Sequence, residues 1–172
     1  MNAQELIREI ELAFNDVARP ATSLPQFLLT DRYGMSREIT DQEWVQAGRD
    51  RVDFKWQDIP EAEIQECGCL LAHMQAEDFQ YYLPAYMRYA AKHVDSPIWE
   101  KNVIGGVVFS LSPNAKDPAG YAYQVAQFTS LNSSQKCVIV QFLYFVSTKA
   151  SYVQQPDAAK ALERYWNRNV DT

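Results

Sequence analysis

Four side chains in the middle of the sequence, Tyr82, Tyr86, Tyr89 and His93, follow the i, i+4, i+7, i+11 spacing that gathers residues on one side of an α-helix. Three phenols and an imidazole on one face have two readings. The rings pack in the core while the hydroxyls reach water or backbone carbonyls, as buried tyrosines usually do. Alternatively they wall a pocket and present their polar atoms to a ligand or partner. A phenol acting as a general acid needs a neighbouring base or cation to shift its pKa, and the sequence identifies no such group beside these.

A second set, Cys67-Gly68-Cys69 followed by His73, carries ligand types for zinc. Zinc sites usually space their cysteines two to four residues apart, and on a helix Cys67 and Cys69 point to nearly opposite sides. Cys69 and His73 could share a face, but a fourth ligand would have to be Cys137 or His93. Buried structural thiols are the simpler expectation, and no metal or cofactor is expected. With two histidines in the chain, Ser-His or Cys-His catalysis has few options, and nothing resembles a nucleophile elbow. Gly105-Gly106 lacks the lysine of a phosphate loop. The pairs Glu61/Glu63 and Glu77/Asp78 fall where helices start, and there they complement the positive end of the dipole.

The elements that position these residues read as helices. Leu6, Ile7, Ile10, Phe14 and Val17 recur at helical spacing, ending before Pro20. Pro20 to Glu38 reads as loop, with Phe27, Leu28 and Leu29 as a short buried piece. Thr40 with Glu43 forms a capping box ahead of a short helix carrying Trp44 and Val45. Asp58 with Glu61 repeats the pattern before a helix carrying Ile64, Cys67, Leu70 or Leu71, and Met74. At Pro84 the spacing predicts a joint: Leu83 extended, Pro84 in the first turn of a new helix, and "FQYYLP" as the elbow. The stretch from Ile98 to Leu111 is open between helix and strand. Pro113 to Gly120 reads as a turn-rich loop. Asn132 with Gln135 starts a helix running to Val146, and Pro156-Asp157 opens a last helix with Ala161, Leu162, Tyr165 and Trp166 inward. The sum is an all-α protein, one domain over residues 1–172 with six or seven helices. The alternative is α+β, with strands near 103–111 and 138–146.

Composition narrows the function classes. The 172 residues suit one domain, and 47% hydrophobic with 13% aromatic residues argues against disorder. A net charge of −6 works against binding nucleic acid or anionic lipid. The run Arg49, Arg51, Lys55 is interleaved with Asp50, Asp53 and Asp58 and reads as a mixed, solvated face. No stretch reaches the roughly 18 apolar residues of a membrane span, and the N-terminus does not read as a signal peptide. Three cysteines without framework spacing fit reduced thiols and a cytoplasmic location.

Several pieces appear in order along the chain: "AFNDVARP", "YYLPAYM", "FSLSP", "FTSLNSSQKCVIVQFLYF" and "ALERYW". Together, from about Ala13 to Trp166, they resemble a family of uncharacterised bacterial proteins, a domain of unknown function marked by its Tyr-Tyr-Leu-Pro-Ala-Tyr block. The resemblance implies one mostly helical domain without a transmembrane segment, and it carries over no activity. The chain departs from the pattern at Gln75, where a capping Ser or Thr is missing, and at Gly105-Gly106. The expected function is that of a small non-catalytic interaction protein in the cytoplasm: an adaptor, inhibitor or immunity-type protein whose partner is another protein. The alternative is a small-molecule-binding protein or enzyme with a pocket walled by Tyr82, Tyr86, Tyr89 and His93.

Overall fold

Helix caps written in the sequence set most of the architecture. The computed structural model describes residues 1–97, 100, 102–150 and 154–169. Helix α1 (Ala3–Ala13) starts from a capping box of Asn2 and Glu5, α2 (Leu24–Tyr33) from one of Ser23 and Gln26, and α3 (Asp41–Arg49) from Thr40 and Glu43. A 3-10 turn at Trp56–Asp58 leads to the short α4 (Glu61–Glu66), and a second at Leu70–His73 leads to α5 (Ala76–Lys92). Then come α6 (Asn102–Ser110), α7 (Pro118–Phe128) and α8 (Ser133–Lys149). Helix α9 (Gln154–Ala161) continues through a π-helical turn, Leu162–Trp166, into a last α-helical piece, Asn167–Asn169. The fold is all-α, with no strand among the described residues.

At its centre lies α5, which packs against α1, α6, α7 and α8 and against both 3-10 turns. It is buried nearly all round, from Phe79 through Ala91, as a helix in the middle of a layered core must be. Two tryptophans close the ends of this core: the Trp56 indole donates to the Phe14 carbonyl at 2.9 Å, and that of Trp166 to the Leu111 carbonyl at 2.8 Å. Each buried indole N–H thereby keeps a partner.

The joint expected at Pro84 is absent: α5 runs unbroken through the proline, and Leu83 is helical. An interior proline costs about 3 kcal/mol, through the lost bond to the Gln80 carbonyl and a clash with it. Burying each large side chain around it, among them Tyr82, Leu83, Tyr86 and Met87, stabilises by about 1.5–3 kcal/mol. Several such terms exceed one proline, so packing keeps the helix continuous where local propensity would break it. The two candidate strands are the helices α6 and α8; Ile98, where the ambiguous stretch opens, lies outside the described residues. The loop expected before Glu38 holds α2, whose Ser23-Leu24-Pro25-Gln26 start is a capping box with proline in the first turn. Asp58 does not cap α4; its carboxylate accepts from the Phe54 and Lys55 amides and closes the 3-10 turn. The single helix expected from Ile64 to Met74 is two pieces parted at Gly68, whose carbonyl lies so near Gly106 that a Cβ there would overlap it. That approach locks α6 onto the turn after α4.

Candidate functional site

Unbroken, α5 carries its tyrosines from the core to the surface. The Tyr82 hydroxyl donates to the Thr22 carbonyl at 2.8 Å, and that of Tyr86 to the Cys67 carbonyl at 2.7 Å. The Tyr89 oxygen accepts from Gln65 Nε2 at 2.6 Å. His93, 33% exposed, stacks on Tyr89 with ring centroids 4.2 Å apart, and its Nε2 lies 3.0 Å from Glu61 Oε2. Lys92 reaches the other oxygen of Glu61 at 2.8 Å, and the hydrogen bonds from Lys92 and His93 hold that carboxyl below its usual range. Burial pushes the phenols of Tyr82 and Tyr86 up, so both stay neutral across the physiological range. Chemically these bonds are braces: they tie α5 to the segment before α2, to the turn after α4 and to α4 itself.

The neighbouring Tyr81 enters a cluster that the charge pattern conceals. Its hydroxyl donates to Asp53 Oδ2 at 2.6 Å, and Arg51 forks onto the same carboxylate at 2.8–3.1 Å while reaching the Pro20 carbonyl at 2.6 Å. The side chains of Arg51 and Asp53 are 6% and 3% exposed. The mixed, solvated face expected for this run therefore fails at its centre. Burial alone would raise the Asp53 carboxyl; the hydrogen bonds from Arg51 and Tyr81 outweigh it and hold the group below its ordinary value. Glu63, near Asp53, is pushed the other way by burial and by the Asp53 charge. The readable signal is the i, i+2 spacing of Arg51 and Asp53 in a segment without helix, which sends both side chains to one side. The same alternation turns Val52 and Phe54 outward, at 56% and 85% exposed. Polarity in this segment is inverted: charges inside, apolar side chains outside.

Of the cysteine set, Cys67 is buried, and Cys69 and Cys137 are exposed. Burial pushes the Cys67 thiol up to about 12. Cys69 and His73 do meet, on the wall of a cavity of about 380 Å³ shared with Gly105, Gly106 and Phe109. No group of three or more His, Cys, Asp or Glu among the described residues is arranged to hold a metal ion. A larger groove of about 780 Å³ lies between α6 and α9, and an apolar one of about 480 Å³ is lined by Val140, Tyr144, Phe145 and Leu162. Tyr82, Tyr86, Tyr89 and His93 line none of these three.

A family described as "Family of unknown function (DUF6714)" matches residues 2–170. The chain belongs to that family. No curated protein and no solved structure matches it. The DUF6714 match spans every helix described above, so the buried cluster, the inverted segment and the grooves all lie inside the family's extent. Among the described residues, no helix is long and apolar enough to cross a membrane.

Proposed function

We propose that the protein is a non-catalytic interaction module that engages a partner protein through the hairpin of α2 and α3 and the segment after it. The observation that carries this reading is the inverted segment 51–54, where Phe54 and Val52 face solvent over a buried ion pair. Beside it, α3 is a helix with no buried residue, although it carries Trp44 and Val45. Helix α3 packs on α2, and Tyr33 and Met35 at the end of that hairpin are exposed as well. Large apolar side chains gathered outward in one stretch mark a protein-binding surface. The polar atoms of Tyr82, Tyr86 and Tyr89 meanwhile serve internal bonds, which favours a binding role over a reactive one.

The partner presents an apolar cleft. Phe54 is 85% exposed and Trp44 38%, and no hairpin residue lines the three cavities described above, so a second copy docking symmetrically would offer apolar side chains but no cleft to receive them. The rim carries both signs of charge, with Arg37 on Glu43 at 2.8 Å and Arg32 on Glu66 at 2.7 Å, and does not select the partner by net charge. The free cysteines fit a reducing compartment, and we place this interaction in the cytoplasm.

A photo-crosslinking amino acid at position 54, in the cells the chain comes from, tests the reading. The expected result is one dominant adduct with another protein, absent when the probe is moved to Glu9 and lost with Trp44→Glu. Equal adducts from both positions, or a homodimeric adduct matched by self-association in sedimentation, would overturn it.

A further inference from the structure

Charge is divided unevenly along the chain. Residues 1–100 carry nine Lys and Arg against eighteen Asp and Glu, whereas residues 101–172 carry seven against four. In the acidic part many cations have carboxylate partners: Arg19 and Arg51 on Asp53, Arg32 on Glu66, Arg37 on Glu43, Lys92 on Glu61. In the later part, among the described residues, Lys160 alone has one, Asp157 at 3.0 Å.

Four of these later cations, Lys116, Lys160, Arg164 and Arg168, line the groove of about 780 Å³. Lys160, Arg164 and Arg168 stand four residues apart. In a straight α-helix, positions four apart drift round the axis by about 40° at each step. The wider π-helical turn at Leu162–Trp166 takes back part of that drift, so the three cations stay on the groove side. They span about 12 Å along the helix. The facing wall, from α6, is apolar: Phe109, 67% exposed, stands over the buried Val108.

We propose that this groove binds an extended, acidic peptide segment of a partner protein, with alternating acidic and apolar residues. Cations spread over about 12 Å exceed the reach of one small anion. An extended chain repeats its same-side residues about every 6.6–6.8 Å, close to the roughly 6 Å step between cations four residues apart, and sends the intervening residues to the other side. Acidic side chains then meet Arg164 and Arg168 in turn while apolar ones meet Phe109. Asp157 and Glu163 also line the groove and repel phosphates and carboxylates alike, so the cations alone do not separate a nucleic acid from a peptide; the exposed Phe109 beside them is what the apolar residues of an alternating peptide match. This site is separate from the hairpin proposed above.

Fluorescence anisotropy with a labelled Glu-Leu-Glu-Leu-Glu-Leu-Glu peptide, its Gln-for-Glu counterpart and a single-stranded oligothymidine tests the proposal. The acidic peptide is expected to bind, more weakly as salt rises. Arg164→Glu/Arg168→Glu should weaken it about tenfold or more, and Arg8→Glu/Lys136→Glu, matched in charge, should leave it unchanged. Phe109→Ala should weaken it, and Trp44→Glu should not, which keeps a failure here apart from a failure at the hairpin. If the double reversal loses its circular-dichroism signature, Arg164→Gln/Arg168→Gln replaces it, with a loss of several-fold. The proposal is overturned if the Gln peptide binds as well as the Glu peptide, if both charge reversals act alike, if oligothymidine binds more tightly, or if Trp44→Glu abolishes binding.

Discussion

Tyr81→Phe removes one buried oxygen and leaves the ring in place. That oxygen donates to Asp53 at 2.6 Å, with the carboxylate 3% exposed, so water cannot replace it without opening the core. A hydrogen bond to a charged group contributes about 1.5–3 kcal/mol, and for a chain of this size that lowers the melting temperature by about 3–12 °C. The pH dependence separates this cause from simple packing. Asp53 has a folded-state pKa below its unfolded value of about 3.9. Its contribution is therefore present above about pH 3.9 and is lost as pH falls through the lower folded value. Removing the Tyr81 donor raises that folded value. The gap between parent and variant should be full at pH 7 and should close as pH falls below about 4. Urea denaturation followed by tryptophan fluorescence across this range measures it, with Tyr33→Phe on the surface as the control. A loss no larger than that of Tyr33→Phe, or a gap undiminished in acid, would refute the account.

The two adjacent glycines should behave oppositely: Gly106→Ala drives a methyl into the Gly68 carbonyl and should destabilise by about 1–3 kcal/mol, whereas Gly105→Ala meets nothing and should stabilise by up to about 1 kcal/mol, both read in the same urea titrations. A thiol reagent such as Ellman's should modify Cys69 and Cys137 promptly in the native protein and Cys67 only on unfolding, because burial holds that thiol protonated up to about 12; three equally fast thiols would show that the turn after α4 opens readily.

Side-chain caps made some helix starts legible and not others: the Asp117 cap of α7 falls in the stretch from Pro113 to Gly120 that reads as a loop. Thr40 with Glu43 and Asn132 with Gln135 stand where the pattern puts them, and the helical spacing of Val103, Ile104, Val107 and Val108 prevails over their β-branched preference. Ser23 with Gln26 carried the same signal, masked by the prolines around it. Pro84 misled because propensity is local and the burial that overrides it is not. For the same reason the spacing of Tyr82, Tyr86, Tyr89 and His93 was readable while the hydroxyl partners were not: Thr22 and Cys67 lie 60 and 19 residues away in sequence. The basic groove needed both kinds of information. The excess of cations after residue 100 and the four-residue spacing of Lys160, Arg164 and Arg168 are visible in the sequence, but the α6 wall that faces them comes from packing between elements far apart in the chain.

The inverted segment at residues 51–54 gives the buried ion pair a role that stability alone does not. Burying Arg51 and Asp53 costs several kcal/mol of desolvation for each ion, and the attraction between them recovers this only with good geometry and further hydrogen bonds. Those bonds are present, from Tyr81 to Asp53 and from Arg51 to the Pro20 carbonyl, so the pair is satisfied, but an apolar pair of the same volume would pack as well. What an apolar pair would not do is fix the register. In an extended segment a slip of one residue exchanges the two faces, and Val52 and Phe54 would enter the core at least as readily as any replacement. A carboxylate fixed by a phenol on α5 and a guanidinium fixed by a backbone carbonyl accept one register. On the interaction reading, charges held inside keep Phe54 outside, and the same Tyr81 that bonds Asp53 from α5 holds that surface in place.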